Sequence, residues 1–197
     1  MTDEPTPAAL EAELVAAGAC VTLTAAAGVL TLWPGDDGAG VAELSLALAG
    51  RYRPVKGSVR LLGRPADPAE LRRQVVLARV VDAVEPEPRL TLAEYLDSCA
   101  VLQGRTHNRM TLGRALDDVG LTDEAMSRRI EHLDPGDLIR ACVAGALLCR
   151  PVAVVVDRVD RGIGAADWPA VAADLRRAAD LTGVAIVASC IRAEVAA

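Results

Sequence analysis

The chain of 197 residues has no phenylalanine, only four tryptophans and tyrosines together, and a single lysine, Lys56. So few aromatic side chains argue against a platform for single-stranded nucleic acid, because bases stack on aromatic faces. The formal net charge of −6 argues in the same direction, since an acidic chain gains no general attraction to phosphate backbones or anionic lipid. We therefore expect no nucleic-acid partner.

Long apolar runs are also scarce. The uncharged segment 18–35 contains threonines, is broken by Gly28 and ends in Pro34 and Gly35, whereas a membrane-spanning helix needs about 20 predominantly apolar residues. The N-terminal sequence MTDEPTPAALEAEL is acidic and lacks the basic segment that opens a secretory signal. These features predict a cytoplasmic protein without direct membrane insertion.

The sequence shows no spacing typical of a metal site. Its histidines, His107 and His132, are isolated, and no two of its five cysteines form a C-x-x-C pair. Unpaired thiols in a reducing compartment are the expected state of such cysteines. The cysteines are Cys20, Cys99, Cys142, Cys149 and Cys190.

Segments with strand patterns alternate with segments of helical periodicity, an order that predicts an α/β fold with a mainly parallel sheet flanked by helices. Strands are predicted at 19–24, 29–33, 57–63, 75–81, 152–157 and 184–189. Helices are predicted at 7–17, 41–50, 67–74, 91–102, 111–119, 123–130, 134–150 and 168–181. The first two strands, joined at the AAAG turn, are predicted to form an N-terminal β-hairpin. We interpret residues 1–197 as one domain with a helical subdomain, residues 84–130, inserted in it.

The segment GDDGAG, residues 35–40, lies between a predicted strand and a predicted helix. Its glycine spacing is typical of a loop that wraps a phosphate, in which a lysine and a hydroxyl-bearing residue follow the last glycine. This segment and the residues directly after it carry three carboxylates, at Asp36, Asp37 and Glu43, and no lysine.

The order of elements resembles the nucleotide-binding domain of ATP-binding cassette (ABC) transporters over roughly residues 19–192. LAGRYRPVKGSVRLLGR, residues 48–64, is similar to the segment after that family's phosphate loop, and RLTLAEYL, residues 89–96, is similar to the start of its helical subdomain. The resemblance implies a P-loop NTPase-like fold, ATP and Mg²⁺ as ligands, and a place at the inner face of the cell membrane. It implies a membrane permease, another ABC-type ATPase chain or a second copy of this chain as partner.

The resemblance places the phosphate loop at residues 35–42. Val41 stands where the family has the lysine that neutralises phosphate, and Ala42 stands where it has the Mg²⁺-binding serine or threonine. We interpret Asp36 and Asp37 as caps of the following helix, which would take the place of the nucleotide's negative charge. The complete set at this position is Gly35, Asp36, Asp37, Gly38, Ala39, Gly40, Val41 and Ala42.

Three further positions depart from the family's pattern. The signature loop LSGGQ corresponds to Leu133, Asp134, Pro135, Gly136 and Asp137, which also have the composition of an ordinary helix cap. The carboxylate pair of the Walker B strand corresponds to Asp157 and Arg158, so the second charge is inverted; an alternative is that these two residues form a structural ion pair. The switch histidine corresponds to Cys190, which we interpret as a small buried residue rather than a nucleophile.

These departures predict a subunit with no catalytic residues, no metal site and no nucleotide cofactor. The leading hypothesis is a pseudo-ATPase scaffold or regulatory subunit that docks on a partner through residues 84–130. One alternative is a subunit that still binds or hydrolyses ATP, supported by Asp157 and the glycine loop. Another is an unrelated α/β domain that binds a small ligand.

Overall fold

The structure is a computed structural model and describes residues 8–16, 18–35, 38–102 and 109–192. The strands are β1 (Ala8–Ala16), β2 (Ala19–Ala26), β3 (Leu30–Pro34), β4 (Lys56–Leu61), β5 (Arg64–Pro65), β6 (Val75–Arg79), β7 (Ala153–Val156) and β8 (Ala185–Cys190). The α-helices are α1 (Ala39–Leu48), α2 (Pro68–Gln74), α3 (Leu92–Leu102), α4 (Arg109–Asp118), α5 (Pro135–Leu147) and α6 (Trp168–Thr182).

Four strands form a parallel sheet in the order β3-β8-β7-β6. All residues of β7 and β8 are buried, because helices and a second sheet cover the two faces, and parallel strands covered on both faces are apolar runs rather than alternating ones. AVVV and AIVASC are such runs. The predicted mainly parallel sheet is confirmed.

The other four strands form an antiparallel sheet in the order β2-β1-β4-β5, and this sheet corrects two predictions. The predicted helix 7–17 is wrong, since β1 lies between β2 and β4. Leu10, Ala12 and Leu14 of β1 are buried, whereas Glu13 is exposed, a period of two that the pairing enforces over the helix propensity of Ala, Leu and Glu.

The N-terminal hairpin also differs from the prediction. It consists of β1 and β2, in which Ala16 pairs with Ala19, and not of β2 and β3. Strand β3 pairs in parallel with β8 in the other sheet. The AAAG turn therefore carries the chain from one sheet to the other.

In the described part of the segment between β6 and α5, two of the three predicted helices are present as α3 and α4, and the third is not an α-helix. In place of the predicted helix 123–130 lie two 3-10 turns, Asp123–Ser127 and Ile130–His132. The predicted start of α5 is found: Asp134 Oδ1 accepts the N–H of Asp137 at 2.9 Å, and Pro135 occupies the first turn. Among the described residues no helix is long and apolar enough to cross a membrane.

Two hydrophobic cores flank the parallel sheet. One lies between the sheet and helices α3 to α6. The other lies between the two sheets and includes one face of α1. Helix α1 follows β3 and therefore begins at the carboxyl edge of the parallel sheet, where β3, β7 and β8 end together.

Candidate functional site

The glycine loop leaves β3 at the carboxyl edge of the parallel sheet, the position where ligands bind in open α/β folds. The N–H of Gly35 donates to the carbonyl oxygen of Cys190 at 2.9 Å, which fixes the loop to the end of β8. A Cβ at Gly35 would lie 3.0 Å from Val41 Cγ1 and 3.1 Å from Ser189 Cβ. This crowding explains the need for glycine at the first position of the loop.

Asp36 and Asp37 lie outside the described residues, so the hypothesis that they cap α1 stays a prediction. Gly38, in extended backbone, is the N-cap residue of α1, and Ala39 and Gly40 open the helix. The loop's backbone therefore joins a strand end to a helix N-terminus, as the glycine spacing predicts.

The two positions after the last glycine of the loop carry apolar side chains. Val41 is only 3% exposed and belongs to the core between the two sheets. Ala42 is partly buried and packs against that core. Neither position supplies an ammonium or a hydroxyl group. Lys56, the only lysine, begins β4 opposite Val15 in the antiparallel sheet.

Asp157 follows β7 and is fully buried. Its Oδ1 accepts the hydroxyl of Ser189 at 2.9 Å, and its Oδ2 accepts the N–H of Val81 at 3.2 Å. The same Oδ2 lies 3.6 Å from Nε of Arg158. The carboxylate is thus held from three sides by the protein's own groups, the arrangement that a buried carboxylate requires.

Arg158 stands beside Asp157 in an uncommon backbone conformation, with φ at +45°. Its N–H donates to Ser189 Oγ at 2.6 Å. Its side chain is buried, and Nη2 donates to the carbonyl oxygen of Gly38 at 3.3 Å. The structure therefore brings Asp157, Arg158 and the glycine loop together around Ser189.

Cys190 ends β8 beside this group and is buried. Burial, followed by the neighbouring Asp160 carboxylate, raises the pKa of the thiol to about 11. The thiol therefore stays protonated at neutral pH and donates to the carbonyl oxygen of Arg192 at 3.4 Å. A neutral thiol of this kind is a poor nucleophile and a poor metal ligand.

Sequence reasoning missed Ser189 and Asp160 as organising residues. Asp160 is buried and accepts the N–H groups of Ile191 at 2.9 Å and Arg192 at 3.0 Å, so it shapes the turn after β8. The sequence carries a signal for both, because polar residues at or shortly after the ends of apolar parallel strands gather at the carboxyl edge of the sheet.

The segment 133–137 lies at the start of α5, where Asp134 caps the helix and the carboxylate of Asp137 forms ion pairs within the chain. Asp137 contacts Arg128 at 3.2 Å and Arg140 at 3.3 Å, and Arg140 also contacts Asp174 at 2.8 Å. Burial, followed by the neighbouring Asp134, raises the pKa of Asp137. A Cβ at Gly136 would lie 3.0 Å from Val171 Cγ2, so the segment packs on α6. Leu133 is buried beneath it.

The histidines do not contribute to this group. His107 lies outside the described residues, and His132 is exposed with Nε2 4.0 Å from Oε1 of Glu131. In the part of the chain that the structure describes, no three His, Cys, Asp or Glu side chains form a cluster able to hold a metal ion.

Curated relatives of the chain are ATP-binding proteins of transporters. An ABC transporter ATP-binding/permease protein of Mycobacterium tuberculosis is 29% identical over 174 residues, which cover 85% of this chain and 20% of that protein. The phosphonates import ATP-binding protein PhnC of Thiobacillus denitrificans is 29% identical, covering 81% of this chain and 66% of its own. The nickel import ATP-binding protein NikE of Rhodospirillum rubrum is 32% identical, and the match covers 74% of this chain and 55% of that protein. The chain thus spans about a fifth to two thirds of their lengths.

Solved structures agree in fold. A Pyrococcus furiosus protein described as an ABC transporter ATP-binding protein superposes with a TM-score of 0.72 at 20% identity, covering 94% of this chain and 93% of its own. CbiO1 of Clostridium perfringens is part of the ABC transporter complex cbiONQ. It superposes with a TM-score of 0.74 at 16% identity, and the match covers 94% of this chain and 79% of CbiO1. The predicted P-loop NTPase-like fold is confirmed, and the alternative of an unrelated α/β domain is wrong.

The sequence profile of ABC transporters matches residues 20–159, which include the glycine loop, the helical segment and the strand that ends before Asp157. This match covers more than half of the chain, and the structural likeness extends over nearly all of it. The chain therefore belongs to the ABC transporter family and has the fold of that family's ATP-binding proteins.

Proposed function

We propose that this chain is a non-catalytic member of the family, a pseudo-ATPase that acts as a scaffold or regulatory subunit on a membrane permease or on another ABC-type ATPase chain. The observation that carries the proposal is the position of Val41. It occupies the place of the phosphate-binding lysine, and its side chain is buried in the core between the two sheets.

The residues present do not fit Mg²⁺ and ATP. Mg²⁺ requires near-octahedral oxygen ligands, whereas Ala42 offers no hydroxyl and Asp157 is engaged by Ser189, Val81 and Arg158. Removing one contact made in the transition state commonly costs about 3 kcal/mol, roughly 100-fold in rate. Because this chain lacks both the lysine and the hydroxyl, and has Arg158 in the place of the catalytic carboxylate, we expect no measurable hydrolysis.

The helical segment supplies a surface for a partner. A cavity of about 350 Å³ lies between β6, residues 84–90, α3 and α5, and its lining is mainly apolar. At its rim, Leu102 is 83% exposed, and its neighbour Val101 is also exposed. Apolar grooves are common interaction sites, and we take this apolar lining as support for docking through residues 84–130.

Calorimetric titration with ATP, in the presence and absence of Mg²⁺, combined with a phosphate-release assay tests the proposal. We expect neither heat of binding nor phosphate release. Micromolar binding with turnover would overturn the pseudo-ATPase proposal. Affinity purification from the native membrane tests the partner, and recovery of a permease or an ABC-type ATPase chain is the expected result.

The second candidate is a subunit that still binds or hydrolyses ATP. Two observations favour it: PhnC and NikE are named ATP-binding proteins, and Asp157 keeps its place after β7. Binding of ATP at micromolar concentration that depends on Mg²⁺ and is lost in Asp157→Ala would establish this candidate instead.

A further inference from the structure

The environment of Arg158 contains three costly features at one residue. Its φ of +45° lies in the left-handed region of backbone conformation, which residues other than glycine, asparagine and aspartate seldom adopt. Its guanidinium is buried, with the residue only 5% exposed. It also lies at the N-terminal end of α1, where the helix dipole disfavours a positive charge. Such strain persists only where surrounding contacts over-determine it.

The contacts that hold Arg158 come from both sides of the site. The backbone is fixed by its hydrogen bond to Ser189 Oγ at 2.6 Å, while Ser189 itself donates to Asp157. The side chain extends from the end of β7 to the glycine loop, where Nη2 reaches the carbonyl oxygen of Gly38 at 3.3 Å. Its Nε remains 3.6 Å from Oδ2 of Asp157, which neutralises the buried charge.

The same groups are those that the family's ligands would engage. In ABC proteins the carboxylate after this strand orders Mg²⁺, and the glycine loop holds the phosphates. Here a guanidinium joins the corresponding carboxylate to the corresponding loop. A divalent cation at Asp157 would have to displace a positive charge that the fold already supplies, and repulsion between the two cations disfavours binding.

We propose that Arg158 is a positioning residue, a built-in cation that ties Gly38 of the glycine loop to Asp157 and thereby holds the loop in place without Mg²⁺ or nucleotide. The proposal deepens the proposed function and rests on it, because it explains how a chain without ATP holds Gly38 and the N-terminus of α1 against the end of β7. The bond from Gly35 to Cys190 holds the described residue that precedes positions 36 and 37, and the bond from Arg158 holds Gly38, which follows them.

The test uses amide hydrogen exchange on the full chain with neither metal nor nucleotide added. Arg158→Gly is the main variant, because glycine adopts the left-handed conformation without strain and the protein is expected to fold. We expect amides of residues 38–42 to exchange about ten-fold faster or more, while those of β7 and β8 are unchanged, since local opening is independent of global unfolding. Arg158→Lys is expected to recover only part of the protection, since an ammonium lacks the planar fork. Arg161→Ala, which removes an exposed arginine three residues away, is the matched control.

Chemical rescue separates positioning from a general loss of packing. Millimolar guanidinium, far below denaturing concentrations, is expected to restore protection of residues 38–42 in Arg158→Gly, and sodium chloride at the same concentration is not. Unchanged exchange in both Arg158→Gly and Arg158→Lys would overturn the proposal, as would rescue by sodium chloride. Because no nucleotide is present, hydrolysis by the unmodified chain would overturn the proposed function without altering this result.

Discussion

The N–H of Arg158 donates to Ser189 Oγ at 2.6 Å, a bond that links the segment after β7 to the carboxyl end of β8. The hydroxyl of Ser189 donates in turn to Asp157 Oδ1 at 2.9 Å. One hydroxyl therefore contacts both residues that the sequence resemblance assigns to the Walker B position, and it does so in a fully buried position.

Ser189→Ala is expected to destabilise the fold by about 1–3 kcal/mol, because it removes the buried hydrogen-bond partner of Asp157 Oδ1 and of the Arg158 N–H. Urea unfolding measures this difference. Ser58→Ala is the control, since Ser58 is exposed on β4 and its loss is expected to change the free energy of unfolding by less than about 0.5 kcal/mol. Equal effects of the two substitutions would contradict the stabilising role of the buried Ser189 hydroxyl.

Gly57→Ala is expected to disrupt the pairing of β1 with β4. Gly57 has φ at +113°, and a Cβ there would lie 1.8 Å from the carbonyl oxygen of Glu13, so the strands must separate. Because the strained backbone and the clash add, we expect a loss of more than about 3 kcal/mol.

Gly63→Ala provides the matched control for Gly57→Ala. Gly63 also has positive φ, +76°, but a Cβ there meets no atom within 4 Å. Its substitution therefore carries the cost of backbone conformation alone, about 1–2 kcal/mol. Thermal and urea unfolding compare the two variants, and a larger loss for Gly63→Ala would show that the close approach of β1 and β4 is wrong.

The buried thiols predict a loss of stability at high pH. Burial raises the pKa of Cys142 to about 12 and, with Asp160, that of Cys190 to about 11. The folded state therefore keeps protons that the unfolded state releases above about pH 9, so the free energy of unfolding falls as pH rises from about 9 to about 11. Urea unfolding at a series of pH values measures this fall.

The double variant Cys142→Ala/Cys190→Ala checks the origin of that pH dependence. It is expected to flatten the dependence between about pH 9 and 11, even though the cavities it creates lower stability at every pH. A profile as steep as that of the unmodified chain would contradict the role of the two thiols.

Arg140→Leu is expected to destabilise the fold by about 1–3 kcal/mol, because it leaves the carboxylates of Asp137 on α5 and Asp174 on α6 without their shared cation. Arg129→Leu is the comparison: its ion pair with Glu131, at 3.7 Å, is exposed, and such pairs contribute little. Urea unfolding of both variants measures the change in the free energy of unfolding. A change within about 0.5 kcal/mol for Arg140→Leu would show that its ion pairs contribute little to stability.

The sequence by itself determined the parallel sheet and the place of the loop. Continuous β-branched runs such as VAVVV can be satisfied only by burial on both faces, and GDDGAG between a strand and a helix allows few conformations other than a tight turn. Asp67 and Asp134, each followed by proline, predicted the starts of α2 and α5 because the capping bond is local: Asp67 accepts the N–H of Glu70 at 2.7 Å.

Only the tertiary structure decided what depends on distant partners. β1 has the composition of a helix, and it is a strand because β2 and β4 pair with both of its edges. The direction of the Arg158 side chain is equally non-local, since Gly38 and Ser189 lie 120 and 31 residues away along the chain. Local propensity carries no information about such contacts, because their energy exists only once the sheet has brought the strand ends together.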